Sequence, residues 1–299
     1  MKIKFWGVRG SIPTPGKQTV RYGGNTPCLE VRMDDDELVI FDAGSGIRNL
    51  GDDLINNGES LNAHLFITHP HWDHIQGFPF FKPAFISGNE LTIFATERPE
   101  KSLGEVISEQ MNRIYFPVQL HELKAKIHFK PLKEEGTIKL PACTVHTLYV
   151  NHPGFTLGYR LESKGKSFVY ISDNEPYDRQ VGAYLSNFEP LVKEKFESME
   201  GDPNRRIFDF CRGADVLIHD ATYTPEEYID RVGWGHSHYL FTLRVAAEAG
   251  VKKLILFHHD PTHDDDKVDD ILKKCRKEIR TRRYGFDCEA AAEGMVVTV

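Results

Sequence analysis

Short, largely apolar runs bounded by turn-forming residues recur along the whole chain: Lys2 to Trp6, Leu38 to Phe41, Leu65 to Thr68, Phe168 to Ser172, Val216 to Ile218 and Leu254 to Phe257. Runs this short and this rich in Val, Ile and Phe predict β-strands. Between them, apolar positions spaced for one helix face predict helices over Ser102 to Asn112, Leu240 to Ala249 ahead of Gly250, and Lys267 to Arg280. Strands and helices are interspersed throughout, so the expected class is α/β or a layered α+β.

Five of the predicted strands end at residues that bind metals or move protons: Asp42, His69, Asp173, His219 with Asp220, and His258. Polar side chains placed just past apolar strands can share a crevice at the sheet edge without being buried inside the core. The pattern therefore predicts chemistry at one edge of a sheet.

Composition narrows the partners. The 299 residues are 40% hydrophobic and 27% charged, and no Pro, Gly or Ser tract reads as a linker, so one domain over 1–299 is expected. Lys plus Arg number 37 against 44 Asp plus Glu, a net charge of −7, which argues against a polybasic arm for extended nucleic acid. The N-terminus lacks a signal-like apolar stretch and no apolar run reaches membrane-spanning length, so the expected location is cytoplasmic. Cys28, Cys143, Cys211, Cys275 and Cys288 are odd in number and never spaced as CxxC, which predicts reduced thiols, mostly in the core.

Histidine changes the picture. There are 14, and Thr68-His69-Pro70-His71-Trp72-Asp73-His74 places four donors within six residues. Imidazole and carboxylate suit zinc and related divalent ions. Four donors could close a single tetrahedral shell and leave no position for water, but His152, Asp173 and His258 downstream bring the set to seven, enough for two ions.

Taken with Asn151-His152-Pro153-Gly154, Ile171-Ser172-Asp173, His219-Asp220-Ala221-Thr222, Gly235-His236-Ser237 and Leu256-Phe257-His258, the HxHxDH run resembles the metallo-β-lactamase superfamily. Within it the best match is the phosphodiesterase and RNase Z-like branch. The resemblance covers nearly the whole chain and implies a four-layer αββα sandwich. It assigns His69, His71 and His152 to one metal and Asp73, His74 and His258 to the other, with Asp173 bridging both. Two divalent ions are implied, zinc by preference and manganese as the alternative. The segments Phe5-Trp6-Gly7-Val8-Arg9-Gly10-Ser11 and Tyr22-Gly23-Gly24-Asn25-Thr26 resemble a bacterial subgroup assigned by similarity to cyclic-nucleotide phosphodiesterases.

Two ions about 3.5 to 4 Å apart lower the pKa of a bridging water to near neutrality and clamp the oxygens of an in-line phosphoryl displacement. The expected function is a metal-dependent phosphodiesterase that attacks a small, cyclic nucleotide with a metal-bridging hydroxide, Asp73 counting as catalytic as well as ligating. A departing ribose alkoxide needs a proton, and His236, oriented by Asp220, is the candidate donor. The similar branch carries Glu in His-Glu-Ala-Thr where this chain has Asp220, one methylene shorter, which puts the reach of that hydrogen bond in question. His219 is expected to be a structural neighbour, and by the resemblance Asp42 holds the histidine loop. His259 and His263 compete with His258, which is favoured by its strand-end position and by the resemblance. Arg9 and Asn25 are candidate phosphate contacts outside the catalytic set, while Tyr115 and Phe116 are candidates to stack a base.

Residues 78–150 suit a lid or a dimerisation face, which would allow a homodimer. Three other readings stand. An RNase Z-like endoribonuclease normally needs a protruding basic arm, and none is found. A lactone or thioester hydrolase would use the same ligands, and a non-hydrolytic iron or sensor protein is disfavoured by the intact HxHxDH. The expected partner is a small phosphodiester, with no membrane and no extended nucleic acid.

Overall fold

The computed structural model describes residues 1–58, 60–96, 101–177 and 201–299, and the chain divides into two compact units, Met1–Lys133 with Ala292–Thr298, and Glu134–Ala291. Both are α/β, as expected.

The first unit is built on a seven-stranded sheet, with strands numbered in chain order. They are β1 (Lys2–Gly7), β2 (Cys28–Arg32), β3 (Leu38–Phe41), β4 (Asn62–Phe66), β5 (Glu90–Thr96), β6 (Lys126–Leu132) and β14 (Val296–Thr298), in the order β14-β1-β2-β3-β4-β5-β6. The pairs from β14 to β3 are antiparallel, and those from β3 to β6 parallel. In β1 every second residue, Ile3, Phe5 and Gly7, is buried, whereas all four residues of β3 are buried, as a strand covered on both faces requires.

Helix α1 (Gly46–Asn56) buries Ile47, Leu50 and Leu54, one helical stripe, in a core with Leu38, Ile40, Leu65, Phe81 and Ile93. Each such side chain contributes about 1.5–3 kcal/mol by leaving water. A single turn, α2 (Trp72–Ile75), lies within the histidine-rich segment. Helix α3 (Leu103–Gln110) starts in a capping box between Ser102 and Glu105.

The second unit carries a second seven-stranded sheet. Its strands are β7 (Thr137–Lys139), β8 (Thr144–Tyr149), β9 (Leu157–Ser163), β10 (Lys166–Ile171), β11 (Val216–Asp220), β12 (Lys253–Phe257) and β13 (Asp287–Ala290), and they lie in order β13-β12-β11-β10-β9-β8-β7. From β10 to β13 they are parallel. Among the described residues its helices are α4 (Arg205–Cys211), α5 (Pro225–Ile229), α6 (Tyr239–Ala249) and α7 (Asp265–Arg282). Gly250 ends α6 in the left-handed conformation, φ 62°, and the Asp264 side chain caps α7 by accepting from the Lys267 amide.

Only the run Leu38 to Phe41 matches its strand at both ends; the other five differ in at least one boundary, and two of those differences bear on the site. The run read as Leu65 to Thr68 ends as a strand at Phe66; the Ile67 amide still donates to the Phe94 carbonyl, and Thr68 gives its amide and hydroxyl to Asp42. The run read as Val216 to Ile218 continues through His219 and Asp220, which pair with Leu256 and Phe257. Of the stretch 78–150, β5 and β6 belong to the first sheet and β7 and β8 to the second, and residues 97–100 lie outside the described residues. All five cysteines are buried and unbridged. No helix among the described residues is long and apolar enough to cross a membrane.

Candidate metal centre

In the first unit, parallel pairing of β3 with β4 brings Asp42 beside the residues that follow β4. Asp42 is fully buried and its Oδ1 accepts from the Thr68 amide at 2.8 Å and the Thr68 hydroxyl at 3.0 Å. Its Oδ2 accepts from Nδ1 of His74 at 2.9 Å. Asp42 thus holds the histidine segment. A carboxylate only accepts, so His74 Nδ1 carries a proton, and in the neutral ring that a metal requires Nε2 keeps its lone pair. That bare Nε2 lies 3.3 Å from Oδ2 of Asp73, which also accepts from the Ser11 amide at 2.8 Å. The Thr68 hydroxyl, having donated to Asp42, accepts from Nδ1 of His69 at 3.1 Å, and His69 Nε2 in turn faces Nδ1 of His71 at 2.9 Å.

The second unit repeats this logic at the ends of β10, β11 and β12. His152 Nδ1 donates to the Gly235 carbonyl at 2.8 Å, and His258 Nδ1 to the Thr222 hydroxyl at 3.2 Å, which itself donates to Oδ1 of Asp220 at 2.7 Å. Both imidazoles therefore present bare Nε2 atoms, and these lie 3.7 and 3.5 Å from Oδ2 of Asp173. Asp173 is 2% exposed.

Lone pairs facing lone pairs at this range repel unless a cation lies between them. Two ligands each about 2.1 Å from a tetrahedral zinc are about 3.4 Å apart. On the chemistry and spacing of the donors, each unit's set fits divalent metal.

Asp220 ends β11, fully buried, and its carboxylate accepts five hydrogen bonds. Its Oδ2 accepts from the Asn174 amide at 3.0 Å, the Ser237 amide at 3.1 Å and His236 Nδ1 at 3.1 Å. Its Oδ1 accepts from the Thr222 amide at 3.0 Å as well as the hydroxyl. The shorter side chain therefore reaches His236. Burial pushes the Asp220 carboxyl up, but the charge and hydrogen bond of His236 and the charge of His258 outweigh it and bring it below the ordinary range. His236 lies 3.9 Å from Asp173, its ring stacks on His258 with centroids 4.7 Å apart, and 11% of its side chain is exposed.

Backbone conformation aims two of these side chains. Asp42 and His258 each follow the last residue of a strand and adopt left-handed φ values of 60°. Asp and His tolerate that region better than most residues. Gly235 has φ +86°, and a Cβ there would lie 2.3 Å from His152 Nδ1, so only glycine lets its carbonyl approach the ring.

The remaining histidines have other duties. His219 is fully buried, its Nδ1 donates to the Asp220 carbonyl at 2.7 Å, and burial holds its pKa below the usual value, as fits a structural neighbour. His259 bonds the Ala291 carbonyl at 2.9 Å and His263 bonds Glu227 at 3.1 Å. Arg9 is fully buried with Nε donating to the Gly23 carbonyl at 2.8 Å, and Asn25 is committed to Glu293 and Ser45, so both hold loops together. Phe116 packs edge-on against Phe80, while Tyr115 is 79% exposed.

Sequence reasoning passed over Thr68, Thr222, Asn174 and Glu175, and it offers Ser237 as a helix cap, whereas His238 caps that helix and the Ser237 amide donates to Asp220. The one available signal for two of them was Ser172-Asp173-Asn174-Glu175, four polar residues directly after an apolar strand and all buried.

A family model described as the beta-lactamase superfamily domain matches residues 38–195. Ribonuclease Z of Thermoplasma acidophilum is 27% identical, over 94% of this chain and 92% of that protein. Among solved structures, unliganded yeast PDE1 superposes with a TM-score of 0.67 at 15% identity, covering 100% of this chain and 99% of that one. The short form of human tRNase Z gives 0.63 at 18% identity, covering 100% and 99%. These structural likenesses are of fold, the metallo-β-lactamase type.

Proposed function

This chain belongs to the beta-lactamase superfamily and is a hydrolase of that family, and from this we propose that it is a binuclear metal-dependent phosphodiesterase acting on a small, cyclic nucleotide. Membership implies divalent metal ions. In this reading His69, His71, Asp73, His74, His152, Asp173 and His258 serve two ions, with zinc suited to so many imidazoles. When bound, such ions supply an acidified water and a positive clamp on the phosphoryl oxygens.

The observation that carries the reading is the His236–Asp220 pair beside Asp173. Asp220 orients the ring through Nδ1 and stabilises its protonated form, which leaves the Nε2 proton for the departing oxygen. That proton matters most when the leaving group is a basic alkoxide, as in a ribose phosphodiester. The net charge of −7 favours a compact substrate, since a long RNA is gripped by basic side chains that neutralise many phosphates.

A second reading, an endoribonuclease on transfer RNA precursors, is favoured by the name ribonuclease Z on relatives aligned over nearly the whole chain.

One experiment separates them. Metal content is measured on purified protein alongside hydrolysis of bis(p-nitrophenyl) phosphate, 3′,5′-cAMP, 2′,3′-cAMP, a precursor transfer RNA and a simple lactone. Two ions per chain with a cyclic nucleotide preferred is the expected result. Preference for the RNA or the lactone would overturn the substrate while keeping the metal chemistry. His236→Ala should keep its metal and lose about 100-fold or more on esters with basic leaving groups while sparing nitrophenyl esters.

A further inference from the structure

We propose that Glu175 is the positioning residue for the proton donor: its carboxylate fixes the glycine-rich turn that delivers His236, and its backbone ties that turn to the loop of His152. The inference rests on the reading of His236 as the acid.

Glu175 is 2% exposed. Its Oε1 accepts from the Tyr228 hydroxyl at 2.8 Å and the Gly233 amide at 2.7 Å, and its Oε2 accepts from the Gly235 amide at 2.9 Å. The same residue's amide donates to the Asn151 carbonyl at 2.7 Å, and its carbonyl accepts from Asn151 Nδ2 at 2.9 Å. One residue thus bonds three separate segments: the residue before His152, the helix α5, and the turn before His236.

Besides the bonds of the Trp234 amide to the Arg231 carbonyl at 3.1 Å and of His152 Nδ1 to the Gly235 carbonyl at 2.8 Å, the turn is anchored by the Glu175 carboxylate. Gly233 and Gly235 have no side chains, and both adopt left-handed φ values, 88° and 86°. Trp234 between them is 61% exposed. Fixing two amides to one buried carboxylate replaces the missing side-chain packing. His236 follows immediately, and its Nδ1–H must meet Asp220 for the protonated ring to be held with its second proton at Nε2.

The chemistry requires a carboxylate here. Three donors converge on two oxygens, and both oxygens must accept. A Gln in either amide orientation would turn its NH2 group toward the Gly233 or the Gly235 amide, losing an acceptor and setting donor against donor.

The test measures kcat across a series of aryl and alkyl phosphodiesters of rising leaving-group pKa, with metal content, for wild type, Glu175→Gln, Tyr228→Phe, His236→Ala and the Glu175→Gln/His236→Ala double variant. Tyr228→Phe removes a single hydrogen bond and guards against a failure of Glu175→Gln to fold. Expected are wild-type metal content in both single variants and a loss in Glu175→Gln of about 10–100-fold on the most basic leaving group against under about 3-fold on nitrophenyl esters. Tyr228→Phe should give a weaker loss of the same slope, and the double variant should be no slower than His236→Ala alone.

Uniform loss across the series, loss of metal, or losses that multiply in the double variant would each overturn the positioning role. Uniform loss in His236→Ala itself would instead remove the acid reading, and this inference with it.

Discussion

Asp42→Asn separates stability from metal affinity more cleanly than any change to a ligand. Asp42 takes three donors, the Thr68 amide and hydroxyl and His74 Nδ1, at 2.8, 3.0 and 2.9 Å. In Asp42→Asn the remaining oxygen still serves Thr68, but the new NH2 faces the His74 Nδ1 proton. The ring resolves this by moving its proton to Nε2, so Nδ1 accepts from the amide and the hydrogen bond survives with its direction reversed. Folding stability without metal should change by no more than about 1 kcal/mol.

The side facing Asp73 has changed completely, because Nε2 now bears hydrogen and must lose it before it can ligate. Metal affinity should fall about 10–100-fold, the usual cost of losing such an outer partner, or about 1.4–2.7 kcal/mol. Asp42→Ala behaves differently, stranding three buried donors at about 1–3 kcal/mol each, a large share of the whole stability of a domain. Urea unfolding of metal-free protein gives the first quantity, and competition against a chromophoric chelator the second. Wild-type metal affinity in a stably folded Asp42→Asn protein would refute the tautomer argument.

Other outcomes follow from the same geometry. Gly235→Ala should destabilise the second unit and weaken metal binding, since its Cβ would press on His152 Nδ1 at 2.3 Å, as thermal melts with and without zinc would register. Removing metal with a chelator should lower the melting temperature of wild type, by an amount corresponding to about 2.7 kcal/mol if free metal had stood at 100 times its dissociation constant, and should leave Asp173→Asn less affected. For pH, burial pushes the Glu227 carboxyl up, but the Thr224 amide, Lys267 and His263 outweigh it and bring it down to about 2 from an ordinary 4.5. A depressed folded pKa contributes stability above pH 4.5 and loses it as pH falls toward 2, so urea midpoints should drop faster with acid in wild type than in Glu227→Gln. Salt should shrink that difference, because the side chain is partly exposed.

The site was far more legible than its supports. His69, His71, Asp73 and His74 announce themselves by density, and Asp173 and His258 by standing at the ends of apolar strands. Asp220 was found with its reach in doubt, a doubt that five hydrogen bonds remove. Glu175 showed only as the end of a polar run after an apolar strand, and Thr222 carried no signal of its own, since the role of a buried carboxylate or hydroxyl is recognised only by the amides and rings it meets.

The fold shows the same division. The buried runs Leu38–Phe41 of β3 and Leu254–Phe257 of β12 read directly as apolar, whereas β6, Lys-Ile-His-Phe-Lys-Pro-Leu, exposes Lys126, His128, Lys130 and Pro131 and buries only Leu132 fully. Helix α1 hides behind two glycines, Gly46 and Gly51, which lower helix propensity; Gly51 meets Phe81 and Pro83 so closely that a Cβ there would lie 3.0 Å from each.

The left-handed backbone at Asp42 and His258 bears on how such a site can change over time. A residue in that conformation can be replaced without backbone strain mainly by glycine, asparagine, aspartate or histidine. Three of those four still carry a polar group that can ligate or hold a ligand. Random substitution at these two strand ends therefore meets a filter before function is tested at all, and the routes it leaves open lead mostly to altered metal preference, with glycine as the single easy way to an empty position.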